Sequence, residues 1–456
     1  MSSICGESRP PKVGMVSLGC AKNLVDAELM LGDAVAAGFE ITADHSDADV
    51  IVVNTCGFIE SAKRESIDAI LGARRKPDQK LVVSGCLAQR YREELARELP
   101  EVDAFMGLDQ VAGAGRVFRD VLSSTSAVPS LAISPRSKYI PDYDTPRFRL
   151  TPAHTAYVKI AEGCNHPCSF CVIPQMRGRH RSRTINSVVA EVRNLVAEGV
   201  REINLISQDT TYFGMDLWKE KAGPRQRVDS LRGPTLVPLL DELATIEGEF
   251  WIRLLYTHPA HWSEELIAAI ARNPKVARYV DMPLQHIHDK MLEAMRRETS
   301  RAHIEELIGR LRSGIAGLAI RTTLIVGFPG EREEQFSSLL DFIERTRFER
   351  LGVFVYSREE GSRAAKMPGQ VPARIKNRRH REAMKLQQRI ASELAAAQAG
   401  KTLRVLVDQP RVARSAHDAL DVDCRVILSR EQPVGEFADV AVTGSYVYDL
   451  VADPIG

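Results

Sequence analysis

The chain has almost no net charge: 61 Lys and Arg stand against 60 Asp and Glu, a formal +1 over 456 residues. No global field therefore exists to recruit nucleic acid or an anionic membrane. No apolar run approaches the length of a transmembrane helix, so no membrane partner is expected. The start of the chain, Met1 to Pro11, lacks the apolar centre of a signal peptide, and a cytoplasmic location is expected. Thiols stay reduced there and serve metals or catalysis more often than disulfides. Internal repeats and low-complexity tracts are also missing. What is present is ordinary globular composition, 44% apolar and 27% charged, at a length that implies two to four domains. Against that background, eight cysteines ask for an explanation.

Three of them share one loop, Glu162-Gly163-Cys164-Asn165-His166-Pro167-Cys168-Ser169-Phe170-Cys171. This Cys-x3-Cys-x2-Cys run supplies three thiolates and no obvious fourth. Cysteine thiolates are the usual ligands of a four-iron cubane cluster, so three of them leave one iron open to a small molecule. The competing reading is zinc, with His154, His166 or His180 as fourth ligand. Structural zinc sites are built from two ligand pairs at recognisable spacing, which the loop lacks. The loop resembles the signature of radical S-adenosylmethionine (SAM) enzymes. That resemblance implies a [4Fe-4S] cluster on Cys164, Cys168 and Cys171. Its open iron would chelate the amino and carboxylate groups of SAM, and its electron would cleave the sulfonium to a 5′-deoxyadenosyl radical.

Segments 12–18, 49–54 and 80–84 are short, near-continuous apolar runs of the kind that form parallel strands buried on both faces. Helical stretches at 22–37 and 60–75 separate them, so a doubly wound α/β domain is expected over 11–125. Cys20, Cys56 and Cys86 each follow one of these strands within two residues. In open parallel sheets the C-terminal strand ends line the ligand crevice, so the three can converge. Each alone reads as a buried core cysteine; three at equivalent positions also fit a second cluster, again with one iron open.

Residues 126–149, rich in Ser, Pro and Arg, read as a linker. From 150 to 385 strand and helix alternate six times, with strands at 156–161, 202–207, 251–256, 279–284, 320–326 and 351–356. A helix at 187–198 shows Val188, Val192, Leu195 and Val196 on one stripe. Six βα units predict a partial (β/α)6 barrel whose chemistry sits at the C-terminal strand ends, and the cysteine loop follows the first strand as that rule requires. A polar insertion at 215–234 reads as a surface loop. A bridging helix at 376–398 leads into 386–456, where strands at 402–407, 423–428, 438–443 and 446–451 predict a small antiparallel barrel.

Taken together, the chain resembles the methylthiotransferase family over nearly its whole length. Gly19-Cys20, Asn54-Thr55-Cys56-Gly57-Phe58 and Ser84-Gly85-Cys86 match the family's N-terminal cluster domain. Glu162 through Pro174, Arg177-Gly178 and Ser182-Arg183 match its radical SAM loop, and Gly327-Phe328-Pro329-Gly330-Glu331 and Tyr356-Ser357 its later barrel strands. Ser207-Gln208-Asp209-Thr210 and Asp281 through His286 resemble the branch that modifies a ribosomal protein, and differ from the tRNA-modifying branch.

The resemblance implies a C-terminal TRAM barrel, two [4Fe-4S] clusters and SAM. Cys20, Cys56 and Cys86 would hold the auxiliary cluster. The product would be a methylthio group on the β-carbon of an aspartate in small-subunit ribosomal protein S-twelve, free or on the subunit. Two SAM per product, an electron donor and a sulfur donor are further implied. Phe170, Gln208, Gln285, Gly327, Gly330 and Glu331 are the expected cofactor contacts, with Asp209, His286 and the run Arg177–Arg183 as candidates for SAM or substrate. No side chain is assigned as catalytic. Breaking an unactivated C–H bond is beyond side-chain acids and bases, so the cofactor carries that step. Gly327-x-x-Gly330 lacks a following Lys-Ser/Thr and is not a phosphate loop.

The segment from 401 holds six Lys and Arg and nine Asp and Glu, a net −3. That argues against an RNA grip and suits a basic ribosomal protein. Ala413, Leu420, Cys424 and Arg332 depart from the family's usual residues, and Cys5 and Cys424 have no expected role. The sequence leaves three alternatives: a tRNA methylthiotransferase, a non-catalytic iron–sulfur carrier, and a nucleic-acid-binding protein with structural zinc.

Overall fold

The computed structural model describes residues 9–126 and 128–455; Cys5 and the start of the chain lie outside them. Among the described residues no helix is long and apolar enough to cross a membrane. The chain divides into two compact units, one running to Leu150 with the added stretch Val172–Gly178, the other holding Thr151–Cys171 and Arg179–Gly456.

The first unit contains β1 (Lys12–Ser17), β2 (Glu40–Thr42), β3 (Val50–Thr55), β4 (Lys80–Gly85), β5 (Ala104–Met106) and β6 (Ser130–Ala132). They form one sheet in the order β2-β1-β3-β4-β5-β6, with every pairing parallel. All six residues of β3 are buried, as its apolar run predicts for a strand covered on both faces. β2 and β5 have three residues each, too few to display a period, and were not foreseen. The segment read as a linker supplies β6, which pairs with β5 at the sheet edge. Its side chains are exposed or half-buried, so no apolar alternation marks it. Chain order reverses between β1 and β3, which places a ligand crevice at their C-terminal ends.

The second unit opens with β7 (Thr155–Lys159), β8 (Ala161–Glu162) and β9 (Arg181–Ser182). It continues through β10 (Glu202–Ile206), β11 (Trp251–Leu254), β12 (Val276–Asp281), β13 (Ala319–Val326) and β14 (Arg350–Val355). Six of these form a parallel sheet in the order β14-β13-β12-β11-β10-β7, the partial barrel expected. Strand alternation sorts its two faces. Ala156, Val158, Ile203, Leu205, Ile252 and Leu254 join the core beneath the helices. The opposite parity buries polar groups, among them Lys159, Glu202, Asn204, Arg253 and Asp281. The helix expected at 187–198 spans Ile185–Ala197, and Thr184 caps it by accepting from the Ser187 amide at 3.2 Å. The 215–234 insertion is more than a surface loop: Trp218 is 3% exposed and packs with Tyr212, Met215 and Ala222.

The helix Ala373–Ala396 leads to a closed barrel of β15 (Thr402–Gln409), β16 (Val412–Ser415), β17 (Val426–Leu428), β18 (Phe437–Tyr446) and β19 (Asp449–Pro454). It is not wholly antiparallel, because β17 and β19 run parallel. The strand expected at 423–428 is confined to its last three residues, and β16 was not foreseen. Ala413 is fully buried in this barrel's core, and Leu420 is also buried.

Polar loops of the small barrel meet the buried polar face of the large one. Arg414 pairs with Glu202 at 2.8 Å and Asp408 at 2.7 Å, Arg350 with Asp418, and Arg321 with Asp423 at 3.4 Å. Asp408, Asp418 and Asp423 thus neutralise internal arginines. The −3 counted over this segment is largely internal, and it does not argue for a basic partner.

Candidate functional site

Two sets of three thiols occupy strand ends, one set in each unit. In the first unit Cys20 follows β1, Cys56 follows β3 and Cys86 follows β4, at the crevice that the strand order creates. Cys20 caps the helix Ala21–Ala36 and Cys86 begins the helix Cys86–Glu98, so two of the three sulfurs sit where helix dipoles favour anions. Missing side chains let these loops close. Gly19 (φ 91°) would carry a Cβ 2.9 Å from the Cys56 Cβ, and Gly85 (φ 96°) one 2.5 Å from Asn54 Oδ1. Arg177, from the stretch after the cysteine loop, is 1% exposed and reaches into the same unit. It donates to Asn23 Oδ1 at 2.6 Å and pairs with Asp26 at 2.9 Å. The Cys86 thiol donates to that same Asn23 oxygen at 3.4 Å.

The three thiols respond to one another. Burial, with the charges of Cys20 and Cys56, pushes Cys86 up to about 12, and burial also raises Cys56. Cys20 opens to solvent on one side while protein crowds the others. Burial opposes its thiolate too, but Lys22, Arg177 and the amides of Asn23 and Lys22 outweigh it, and its pKa falls. The Cys20 charge adds to the rise of Cys56, and both add to that of Cys86, so the set does not ionise together without a cation between them. An iron–sulfur cluster fits that requirement, and none of the seven described cysteines is in a disulfide.

The second set lies in the loop after β7, closed at its base by the two-residue ladder of β8 and β9. Burial, and then Cys171 and Cys168, raise the Cys164 thiol well above its ordinary value. Ser169 is fixed between Met295 and Ala364: its amide donates to the Met295 carbonyl at 2.9 Å, and its carbonyl accepts from the Ala364 amide at 2.8 Å. Phe170 packs beside Met291, Met295, Phe328 and Tyr356.

Within the loop His166 is braced on both ring nitrogens, by Glu298 at 2.6 Å and by Asp209 at 2.8 Å, and Asp209 also holds His261 at 2.8 Å. His166, Asp209, His258 and His261 are close enough to suggest a metal cage. The rings of His166 and His258, however, stack 3.8 Å apart and 15° from parallel, so their in-plane lone pairs do not meet at a common point. The cluster is a brace for the cysteine loop.

The other expected contacts divide. Gln208 follows β10 and donates to Glu162 at 2.7 Å, while its Oε1 is buried without a partner. Glu162 in turn pairs with buried Lys159 at 2.8 Å. Gln285 adopts φ 72°, and its main chain bridges to β13 by donating to Thr323 at 2.8 Å and accepting from Ile325 at 2.7 Å. Gly327 (φ 74°) follows β13, and Gly330 donates to the Gly369 carbonyl at 2.8 Å. Glu331 accepts from the Gly327 and Phe328 amides, and burial lifts it to about 7 although Arg379 opposes this. Its Oε1, like that of Gln208, is a buried acceptor without a partner. A ligand bearing an ammonium, an amino group and ribose hydroxyls, as SAM does, matches such orphaned acceptors.

Asp209 is consumed by histidines. His286 caps its own turn, accepting at Nδ1 from the Ile287 and His288 amides at 2.9 and 3.0 Å. Lys159, Arg297, Glu298, His258 and His261 belong to the site without having been expected from the sequence. Only the two histidines carried a signal, since they follow β11 at the barrel's chemical end.

The comparisons agree with this geometry. Residues 12–107 match the model described as uncharacterized protein family UPF0004, 158–343 the radical SAM superfamily, and 399–455 the TRAM domain. Among solved structures, the radical S-adenosylmethionine methyltransferase TsrM from Kitasatospora setae shares the fold. Its TM-score is 0.53 at 15% identity, over 76% of this chain and 73% of that one. The fold and the loop thiols define a radical SAM enzyme. Among curated relatives, the ribosomal protein uS12 methylthiotransferase RimO of Opitutus terrae is 58% identical over 98% of this chain and 97% of its own. The RimO of Akkermansia muciniphila is 54% identical over 97% and 100%. The chain belongs to the RimO family of methylthiotransferases.

Proposed function

We propose that this protein attaches a methylthio group to the β-carbon of an aspartate in ribosomal protein uS12, in the cytoplasm, at the expense of two SAM. The observation that carries the reading is the pair of three-thiol sets, each at parallel strand ends and each one ligand short of closing a cubane. When bound, the clusters and SAM supply the radical that opens the C–H bond and the sulfur that replaces the hydrogen.

The chain's own residues prepare the site for them. Cys164, Cys168 and Cys171 hold the SAM-cleaving cluster, and Cys20, Cys56 and Cys86 the auxiliary one. His166, Asp209 and Glu298 fix the loop. Gln208 and Glu331 offer acceptors to SAM, and Phe170, with the turn Gly327–Gly330, shapes the wall beside it. Gln285 holds its strand-end turn through its main chain. An electron donor and a sulfur donor complete the reaction. A carrier protein needs neither the barrel nor the SAM acceptors.

Anaerobic reconstitution should give two clusters per chain and SAM cleavage under a strong reductant. Mass spectrometry of uS12 and of tRNA from a strain lacking the chain then reads the substrate. The methylthio mass should vanish from uS12 alone. Its loss from tRNA instead would overturn the assignment.

A further inference from the structure

Arg297 is a buried cation without an anion. It is 9% exposed, its Nη2 donates to the Pro283 carbonyl at 2.8 Å, and its Nε is buried without a partner. No carboxylate among the described residues pairs with it. The adjacent Glu298 is turned to His166. A guanidinium cannot shed its proton, and one buried unpaired is costly. Its Nη1 points at Cys168 Sγ, 3.4 Å away. The backbone is bent to put it there: Arg296 adopts φ 55° just after the helix Asp289–Ala294, a conformation few non-glycine residues accept without a reason.

We propose that the missing anion is the thiolate of Cys168 once the loop cluster is loaded, and that Arg297 governs how readily that cluster accepts an electron. This rests on the placement of a cluster on Cys164, Cys168 and Cys171. Reduction adds one negative charge to the cluster and its ligands. A fixed cation that donates to a ligand sulfur stabilises the reduced form more than the oxidised one. Arg297 acts through Cys168 and is a positioning residue. The rival anion is the carboxylate of SAM, which the idle Nε could also meet.

Full-length wild type, Arg297→Met and Arg297→Lys are reconstituted anaerobically and poised with dithionite. Iron content is measured, and reduced cluster is counted by electron paramagnetic resonance with and without SAM; the signal that SAM perturbs marks the loop cluster. Arg297→Met should keep its iron. Without SAM its reduced-to-oxidised ratio should fall at least tenfold, equivalent to about 59 mV for a one-electron couple. Arg297→Lys should fall between it and wild type, and the other cluster should not move. Unchanged ratios, a shift seen only with SAM present, or loss of the loop cluster from both variants overturns the proposal. If wild type itself shows no SAM-responsive cluster, the ligand assignment fails instead.

Discussion

Arg414 Nη2 stands 2.8 Å from Glu202 Oε2, tying the C-terminal barrel to the first residue of β10. Arg253 meets the other oxygen at 2.9 Å, and the Arg253 and Glu202 side chains are wholly buried. Removing one partner from a buried pair leaves an uncompensated charge at a cost of about 3–5 kcal/mol. Arg414→Met is therefore expected to lower the thermal midpoint clearly, while a surface change such as Arg411→Met leaves it in place. The same carboxylate sets an acid limit. Burial pushes its pKa up, but Arg414 and Arg253 outweigh that and hold it at about 2, against an ordinary 4.5. Its contribution is present above the unfolded value and lost as pH falls toward about 2. Melting curves between neutral pH and pH 3 should fall more steeply for wild type than for Glu202→Gln; parallel curves would refute the linkage.

Gly85 makes a local prediction for the first thiol set. A Cβ there would lie 2.5 Å from both Asn54 Oδ1 and the Thr55 carbonyl, and φ is 96°. A side chain at positive φ alone costs on the order of 1–3 kcal/mol, and the clash must move the turn that carries Cys86. Gly85→Ala should bind about half the iron of wild type and still cleave SAM. Full iron content in this variant would show that the turn tolerates the shift.

The strand-end placing of the cysteines was legible because β3 and β4 are apolar runs that end one residue before Cys56 and Cys86, while β1 and β7 end three and five residues before Cys20 and Cys164. The brace and charge around the loop were not. Glu298 and Arg297 follow a helix and no local pattern marks them, while His258 and His261 are marked only by their place after β11; the closing of the barrel brings all four to His166 and Cys168. Gln208 and Asp209 are neighbours on one loop, and they part company: one turns to Glu162, the other to two histidines. The net charge of the C-terminal segment was misleading for a related reason. Composition counts Asp408, Asp418 and Asp423 as field, whereas the fold consumes them in ion pairs.

Asp209 offers a test of the brace. Its two ring contacts and its bonds to Thr211 Oγ1 at 2.6 Å and the Tyr212 amide at 3.2 Å occupy both oxygens. Asp209→Ala removes all four acceptor contacts at once, and the buried donors it strands cost about 1–3 kcal/mol each. The expected result is a reconstituted loop cluster that loses iron several-fold faster to a chelator, with the other cluster unaffected. Equal loss rates from wild type and variant would remove Asp209 from the brace.

The two thiol sets predict opposite partial activities. Cys168→Ala removes a ligand from the loop cluster, so SAM cleavage and product should both disappear while about four of about eight irons remain. Cys86→Ala should likewise keep about half the iron, but on the other set: SAM is still cleaved to 5′-deoxyadenosine, and no methylthio group appears on uS12. The comparison separates an enzyme with divided labour from one in which the first unit merely stabilises the second. In the latter case Cys86→Ala would lose cleavage and product together, and restoring stability at low temperature would return both. Product formed by Cys86→Ala at the wild-type rate would remove the first set from the chemistry altogether.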